Sequence, residues 1–582
     1  MRLRYFRVQH YPPLTDIGIS FSAESPLQRQ CQIHFVVGVN GSGKTHLLQA
    51  VTEAFLALAR QKRPHFPVTL IYEIGQGNTH QTFLFDNPKD GGDIGWWKSQ
   101  LHIPASSRES DWHALVEQVR TGAEEWEPLI ESGTTWPGEL AGLPRTVLAH
   151  TTGTQESWEA LFRREPPAID VDFRSQSLEY DTTIERPAGW TRAQEIAYQA
   201  QQETEASQTA AQELRRLEEE ASGQQLDQDV CLLITPTLLK FALLAVTVPL
   251  AMQEFRDYDT DQAIMDFITR LRQEPDAQSG LRRVLAQVGW VWPVSLAFTV
   301  DFRLSEWTNA QQARVQPFFS LATTVIREIE PSTKRRLFFD VKARPRGSVA
   351  SNPSELIEYV GDGLLDSLGG RSGHPFDHFK KLLSLYREGL LDDVQIALRR
   401  TDTDDILLFD ELSDGEQVFL GRMALFHLME GQEDTLIILD EPETHFNDKW
   451  KREIVGIIDE VLHETGNAIL ISTHSSIALT DVFNDEIVLF EKLDGEVKRI
   501  EIASTTFGAD PSEVMIRLFG VPDSVGQRAT AWLEQKIQEG YWQPEQKEEL
   551  TRLIRKIGPG FYRSELRAIL KRLEDATSDQ SS

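Results

Sequence analysis

Gly38-Val39-Asn40-Gly41-Ser42-Gly43-Lys44-Thr45 is the stretch of this sequence that decides the fold. The apolar run Phe35-Val36-Val37 precedes it, and an amphipathic stretch that begins with His46-Leu47-Leu48 follows it. A strand, a glycine-rich loop and a helix in this order are the context in which G-x-x-x-x-G-K-[ST] binds phosphate, because backbone N–H groups at a helix N-terminus surround the anion. The pattern therefore predicts a loop that binds a nucleoside triphosphate, through Gly38, Asn40, Gly41, Ser42, Gly43, Lys44 and Thr45.

Two side chains of this loop carry the expected chemistry. Lys44 is expected to reach the β- and γ-phosphates of ATP, and the Thr45 hydroxyl to ligate Mg²⁺. ATP and Mg²⁺ are thus the predicted ligands.

Composition limits the classes of protein to which the chain can belong. Its 582 residues, 25% charged and 40% hydrophobic, are typical of a soluble protein with several domains. A formal net charge of −30 excludes a surface that is basic throughout, so contact with DNA would need a local basic patch or a partner chain. Two stretches qualify, 334–346, in which aromatic residues are interleaved, and the helical 552–572. A strand with basic outward positions would give the first pattern equally well.

Cysteine use and hydropathy favour a cytoplasmic protein without a membrane anchor. Cys31 and Cys231 lie far apart and outside any metal-ligand spacing. The N-terminus lacks the apolar core of a signal peptide, whereas 230–252 is apolar over about the length of a membrane span. Pro236, Lys240 and Pro249 interrupt that stretch, so we expect a helix over 230–255 that is buried in a core.

The second half of the expected site comes from three later segments. Ser413 is placed to cap a helix with Glu416 as its capping-box partner, which leaves the N–H end of the helix open to an anion. The apolar strand 435–439 ends in Asp440 and Glu441, where one acid would hold Mg²⁺ and the next would polarise the attacking water. A further apolar strand, 468–471, leads to His474, near the expected γ-phosphate.

Gln155 is a weaker candidate for the same site. It follows a predicted strand over 146–149, where a glutamine could sense the γ-phosphate through Mg²⁺. An ordinary glutamine of a surface loop fits the sequence as well.

The order of these motifs resembles the head of ABC-type ATPases, and more narrowly the RecF/SMC/OLD-like branch that is often labelled AAA family ATPase. The resemblance covers about 35–60 and 405–500. It implies that Glu441 is the catalytic base, that His474 is the switch histidine, and that Asp440 completes the metal shell with Thr45. It also implies that Ser413, Gly415 and Glu416 reach the γ-phosphate of ATP bound by a second head, in a homodimer or a higher even oligomer.

The sequence departs from the family pattern at two points. The signature reads Ser413-Asp414-Gly415-Glu416, a form that some RecF-like members share, and not Ser-Gly-Gly-Gln. Asn447 stands where many heads carry the D-loop aspartate, the residue that the resemblance links to communication between the two sites.

The predicted fold is α/β, an ABC-type P-loop head with a mixed sheet and helices, interrupted by a large insertion. The expected divisions are an N-terminal lobe (1–160), a mainly helical insertion with some strands (161–390), a C-terminal lobe (391–505) and a short helical tail (506–582). The tail is too short for a Toprim nuclease, so the chain is not expected to be a nuclease itself.

The preferred function is that of an ATPase that hydrolyses ATP to ADP and phosphate and regulates a partner effector. The motif set and the Thr505-Thr506-Phe507-Gly508 segment resemble ATPases that accompany restriction and other anti-phage systems, where a separate nuclease or other effector is the partner. Two alternatives stay open: a RecF- or SMC-like DNA repair ATPase, and a structural scaffold that binds nucleotide with little turnover.

Overall fold

The structure is a computed structural model. It describes residues 1–21, 27, 29–89, 91–103, 108–130, 136, 142–163, 230–257, 266–270, 273, 280–301, 307–328, 333–345, 359–401, 403, 405–521, 524–538 and 541–579.

A seven-stranded sheet forms the centre of the molecule. All its neighbouring strands are parallel except at one edge, where the last strand of the chain to join the sheet pairs antiparallel. In spatial order the strands are β18 (Glu496–Ile500), β17 (Ile487–Leu493), β3 (Gln32–Gly38), β16 (Ala468–Thr473), β15 (Thr435–Asp440), β8 (Thr146–Thr151) and β9 (Cys231–Ile234).

Apolar side chains alternate between the two faces of this sheet. In β15, Leu436 and Ile438 point to one hydrophobic core and Ile437 and Leu439 to the other. A parallel strand that is covered on both faces needs such a continuous apolar run, which explains the uninterrupted sequence of β15 and β16.

The first core lies between the central sheet and an antiparallel sheet from the N-terminal part of the chain. Helix α1 (Lys44–Ala59) contributes Leu47, Leu48, Val51 and Phe55 to it. The antiparallel sheet has the order β2 (Leu14–Ser20), β1 (Arg2–Tyr11), β4 (Val68–Ile74), β5 (Gln81–Asn87), β6 (Gly95–Ser99) and β7 (Glu127–Pro128). Its outer face carries a small cluster around Trp112 of helix α2 (Glu109–Arg120).

The second core lies on the opposite face of the central sheet, under helices and a five-stranded antiparallel sheet. The strands of that sheet, in spatial order, are β11 (Thr324–Arg327), β12 (Lys334–Asp340), β10 (Trp290–Asp301), β13 (Asp393–Arg400) and β14 (Ile406–Leu408). The other helices outside the C-terminal segment are α3 (Gln155–Phe162), α4 (Pro236–Asp257), α5 (Gly280–Gln287), α6 (Asn309–Leu321), α7 (Val360–Ser367), α8 (Pro375–Arg387), α9 (Asp414–Leu428), α10 (Asp448–Leu462), α11 (Ser476–Leu479) and α12 (Pro511–Phe519).

The C-terminal segment has a hydrophobic cluster of its own. Leu533, Leu550, Ile554 and Leu566 are its buried centre, with Trp542 beside them. They belong to the helices α13 (Gln527–Ile537), α14 (Lys547–Lys556) and α15 (Phe561–Asp579). We call this segment the C-terminal helical module.

The expectation of one helix over 230–255 is wrong at its N-terminal end. Cys231–Ile234 is the edge strand of the central sheet, and α4 begins only at Pro236. Proline fits the first turn of a helix, where its missing N–H is not needed, and this stops the strand from continuing. Within the described residues, α4 is the one helix that has the length and composition of a membrane span, and 78% of that span is buried inside the protein.

The predicted α/β head is confirmed. The strand Cys231–Ile234 lies in the predicted insertion 161–390 and yet pairs with β8, so part of that segment is built into the central sheet. The boundaries of the four expected divisions stay predictions.

Candidate functional site

The phosphate loop follows β3 and opens α1, as its sequence requires. Gly43 is the N-cap of α1 with a φ of 89°, and a Cβ at this position would come within 2.8 Å of the Leu14 side chain. A residue with a side chain would be strained there and would crowd the turn between β1 and β2, so the position needs glycine.

Lys44 lies in the loop with its side chain only 5% exposed. Its Nζ donates to the carbonyl oxygens of Gly38, at 2.9 Å, and Val39, at 3.4 Å, and lies 4.0 Å from Oε1 of Glu441. Burial lowers the pKa of this ammonium group from its ordinary value, while the nearby acids oppose that shift. A buried cation held only by carbonyl groups and a carboxylate at 4.0 Å is well suited to bind phosphate oxygens.

Asp440 is the most heavily hydrogen-bonded acid of the site. Its carboxylate accepts from the hydroxyls of Thr45 (3.0 Å), Ser472 (2.6 Å) and Thr151 (3.1 Å) and from the indole N–H of Trp158 (3.4 Å). These donors come from α1, β16, β8 and α3, so one carboxylate joins four elements. Sequence analysis found Thr45 but missed the other three, although hydroxyl residues at the carboxyl ends of strands were a readable signal.

The oxygen atoms of this cluster fit a magnesium ion. The Thr45 hydroxyl and the Asp440 carboxylate are hard oxygen donors that lie 3.0 Å apart. Mg²⁺ in phosphate-transferring sites is usually held by one or two such protein oxygens, with water and phosphate oxygens filling the rest of its shell. Thr45 and Asp440 are therefore the residues that would hold it.

Glu441 and His474 form an ion pair beside this cluster, with His474 Nδ1 at 3.3 Å from Glu441 Oε1. The hydrogen bond from His474 lowers the pKa of Glu441, and the same bond raises the pKa of His474. Glu441 also has a left-handed backbone, with a φ of 50°, and its N–H donates to the hydroxyl of Ser472 at 2.9 Å. A non-glycine residue in that region is strained, and such strain concentrates at functional sites.

A second, buried acid lies two residues after Glu441. Glu443 is 3% exposed and accepts a hydrogen bond from the Thr473 hydroxyl. Its pKa is raised by burial. Arg422 of α9 is equally buried, and its Nη1 donates to the Thr444 carbonyl at 3.2 Å. This contact links the helix that follows the signature to the loop that follows Asp440.

A cleft of about 350 Å³ opens at this end of the sheet. Glu441 and His474 are among its lining residues, together with Glu443, His445 and Lys451.

Gln155 begins α3, directly after the turn that follows β8. The turn is bound to the site, because the Thr152 hydroxyl donates to the carbonyl of Glu441 at 2.8 Å. Gln155 itself is half-buried, and the contact of α3 with Asp440 is made by Trp158. A role of Gln155 at the γ-phosphate stays a prediction.

The signature segment is a helix N-terminus that is open to solvent. Ser413 caps α9, donating through its hydroxyl to Glu416 at 2.7 Å, and Gly415 lies so close to the loop after Asp440 that a Cβ would be 3.1 Å from the His445 carbonyl. Within the fully described segments 38–45 and 413–416, no hydrogen bond or ion pair joins the signature to the phosphate loop of the same chain. The structure thus brings Lys44, Thr45, Asp440, Glu441 and His474 together and leaves the signature residues apart from them.

Comparison with known proteins finds similarity to a described family over part of the chain. Residues 325–481 match the model of a family described as "AAA domain, putative AbiEii toxin, Type IV TA system". The matched range contains the signature, Asp440, Glu441 and His474, and it confirms the resemblance to AAA family ATPases there.

One curated relative is the "Retron Vc95 probable ATPase" of Vibrio cholerae serotype O1 biovar El Tor, which is 28% identical over 80 residues. The match spans 14% of this chain and only 15% of the relative. Among solved structures, the Smc head domain of Pyrococcus furiosus bound to the C-terminal domain of ScpA gives a TM-score of 0.29 at 12% identity, with 86% of this chain and 96% of that chain covered. The SMC head domain of Thermotoga maritima gives 0.27 at 10% identity, with 87% and 100% covered.

Proposed function

We propose that this protein is an ATPase whose two copies associate around ATP and that its association state regulates a partner effector. The observation that carries the proposal is the meeting of five chemistry-bearing residues at the carboxyl ends of β3, β15 and β16, while Ser413 faces solvent. Ligands of open α/β sheets bind at these strand ends.

Each residue has a distinct task in the proposed reaction. The Lys44 ammonium binds phosphate oxygens, and the Thr45 hydroxyl and Asp440 carboxylate hold the metal ion. Glu441, kept ionised by His474 and Lys44, orients the attacking water and accepts its proton. Bound Mg²⁺ would neutralise charge on the transferring phosphoryl group.

Dimerisation follows from the position of the signature. Ser413 and Asp414 at the start of α9 are exposed, and Gly415 beside them is half-buried. A helix N-terminus of this kind binds anions, and a second copy could supply it to the triphosphate held by the first.

The proposed role in defence rests on the descriptions of the matched family and of the curated relative, and on the resemblance of the motifs. The matched family is described with a toxin and a "TA system", and the curated relative is described as a retron's probable ATPase. Both descriptions support the motif-based resemblance to ATPases that work beside a separate effector in anti-phage systems. We extend that arrangement to this chain, with a nuclease as the preferred effector.

A Glu441→Gln variant tests the enzymatic part of the proposal. It removes the proton acceptor but keeps the shape of the side chain, so we expect phosphate release to fall about a hundredfold or more. ATP should then hold the variant as a dimer in analytical ultracentrifugation, while Lys44→Ala should neither turn over ATP nor associate. Glu464→Gln, at an exposed position, is the matched control and should behave as wild type.

Two results would contradict the proposal. If wild type releases phosphate no faster than Lys44→Ala, the protein is a nucleotide-binding scaffold. If Glu441→Gln stays monomeric at saturating ATP, the signature does not act between subunits.

A further inference from the structure

One segment of the C-terminal helical module, residues 552–572, carries a concentrated positive charge in an otherwise acidic protein. Between 552 and 572 the sequence has seven basic residues and one acidic residue, whereas the whole chain has a net charge of −30. The basic residues are Arg552, Arg555, Lys556, Arg563, Arg567, Lys571 and Arg572. We call these seven the basic ridge.

The ridge lies on the outer sides of two helices. Arg552, Arg555 and Lys556 are spaced three and four residues apart on α14, and all are exposed. Leu550 and Ile554, on the opposite side of α14, are buried in the module's own cluster. On α15, Arg567 and Lys571 are one turn apart and exposed, while Leu566 is fully buried. Six of the seven basic residues are exposed, because the apolar sides of both helices are packed in the module, and Arg563 is half-buried.

The cations of the ridge have no acidic partners in the part of the chain that the structure describes. Arg552 donates to the Glu548 carbonyl at 3.3 Å, and none of the seven forms an ion pair with a carboxylate of a described residue. The other basic stretch of the chain differs in this respect. On β12, Lys334 pairs with Asp392 and Arg336 with Glu328 at 3.4 Å. The charge of that stretch is already neutralised at these positions.

The turn between the two helices is open. Gly558, Pro559 and Gly560 are exposed, and a Cβ at either glycine would meet nothing within 4 Å. Phe561, at the start of α15, is 65% exposed. A large polyanion can approach this turn and both basic helix faces without displacing any described part of the module.

We propose that the basic ridge of the C-terminal helical module binds the phosphate backbone of duplex DNA without reading its sequence. Unpaired arginines and lysines on exposed helix faces provide this type of contact. An anionic membrane is a poorer occupant, since the apolar sides of α14 and α15 are packed inside the module and are not free to enter lipid. A site for single-stranded nucleic acid would need several aromatic side chains on the ridge, on which bases could stack. The exposed Phe561 lies at the turn between the two helices.

The consequence for regulation rests on the proposed function, since bound DNA would then be the signal that the ATPase head passes to its effector. DNA binding itself does not depend on ATP turnover. The two ideas therefore fail separately.

The test uses the full-length protein and a fluorescein-labelled duplex of random sequence, about 30 base pairs long, followed by anisotropy over a salt series. The ridge variant is Arg555→Gln/Lys556→Gln/Arg567→Gln/Lys571→Gln. The matched control removes four positive charges from the other basic stretch, as Lys334→Gln/Arg336→Gln/Lys342→Gln/Arg344→Gln. Phosphate release and thermal unfolding are measured on both, and the ridge variant should match wild type because these exposed side chains lie outside the ATP site.

Wild type is expected to bind the duplex with a strong salt dependence. In the ridge variant the dissociation constant should rise at least about tenfold near 100 mM salt, and the slope of log K against log salt should fall by about 3 to 4, since each phosphate contact contributes about 0.9. The control should stay within about twofold of wild type.

Three results would overturn the proposal. These are the absence of duplex binding by wild type at low salt, an equal loss in ridge variant and control, and ridge-dependent binding to phosphatidylserine vesicles without binding to DNA. If wild type releases no phosphate but binds DNA through the ridge, the result would instead count against the proposed ATPase function and not against the DNA proposal.

Discussion

Glu441 and His474 are the two residues of the site whose charges depend on each other most directly. Their hydrogen bond lowers the pKa of Glu441 from 4.5 and raises the pKa of His474 from 6.5. The pair is therefore fully charged between these two values. At low pH the ion pair is lost as the pH falls through the lowered pKa of Glu441 and this acid takes up a proton. At high pH the ion pair is lost once the pH passes the raised pKa of His474.

Replacing His474 by alanine should shift the acid limb of the ATPase pH profile to higher pH. Without its hydrogen-bond partner, the pKa of Glu441 returns toward 4.5, although Lys44 at 4.0 Å keeps part of the shift. The measurement is kcat for phosphate release as a function of pH. His463→Ala is the control, because His463 also lies near a glutamate, Glu464 at 3.5 Å, but outside the site. An unchanged acid limb in His474→Ala would mean that the ion pair does not tune Glu441.

The sequence was sufficient to predict which residues meet at the site but not how they are held. Lys44, Thr45, Asp440 and His474 stand in motifs that each follow a predicted strand, and the family resemblance implied that these motifs meet. The support of Asp440 by Thr151 and Trp158 depends on β8 lying beside β15, a pairing across almost 300 residues that no local pattern encodes.

At the scale of elements, the helix α9 connects the exposed signature to the loop that follows Asp440. Its N-terminus presents Ser413 to solvent, and one turn after the buried Phe419 its Arg422 bonds the loop that carries Glu441 and Thr444. Burial lowers the pKa of Arg422 to about 9, and Arg422 lies near the acid Glu443. A partner head that binds the start of α9 would act on the same rigid helix.

Ser413→Ala should weaken ATP-dependent association much more than it weakens nucleotide binding. The loss of a helix cap costs about 1 kcal/mol of local stability. In the proposed dimer, the change also removes the contact of the Ser413 hydroxyl with the triphosphate that the second copy binds. Ultracentrifugation in a Glu441→Gln background measures association, and nucleotide titration of the monomer measures binding. Asp510→Ala removes the cap of α12 and controls for the capping effect alone. If both cap variants associate as their parent does, Ser413 does not reach a second site.

Elements with continuous apolar runs were readable from sequence, and those that depend on distant partners were not. The strands β3, β15 and β16 were predicted close to their observed bounds because both faces are buried. β9 was merged into a helix since its four apolar residues run into those of α4. β11 was not predicted, although it pairs with β12. All four of its residues are exposed, so no alternation of buried and exposed positions marks it as a strand.

At the scale of the whole molecule, the central sheet and the C-terminal helical module have separate hydrophobic clusters. Leu470 lies in the core between the central sheet and α1, and Leu566 lies in the C-terminal helical module. Both side chains are fully buried.

A matched pair of leucine-to-alanine changes should separate these clusters. Each substitution leaves a cavity that costs about 2 to 5 kcal/mol. Leu566→Ala should raise hydrogen exchange in the helices of the module and leave phosphate release intact, whereas Leu470→Ala, in the strand that leads to His474, should impair both exchange protection of the central sheet and turnover. Loss of turnover in Leu566→Ala would show that the head depends on the module.

The indole of Trp158 has a consequence for how the protein can be observed. It is fully buried and donates to Asp440, the same carboxylate that Thr45 contacts. Any ion or substrate that draws the Thr45 hydroxyl away changes the electric field around this ring. The chain thus contains an intrinsic optical probe in its site. Because Trp158 is one of 13 tryptophans, the part of the emission that a Trp158→Phe change removes would follow occupancy without a dye.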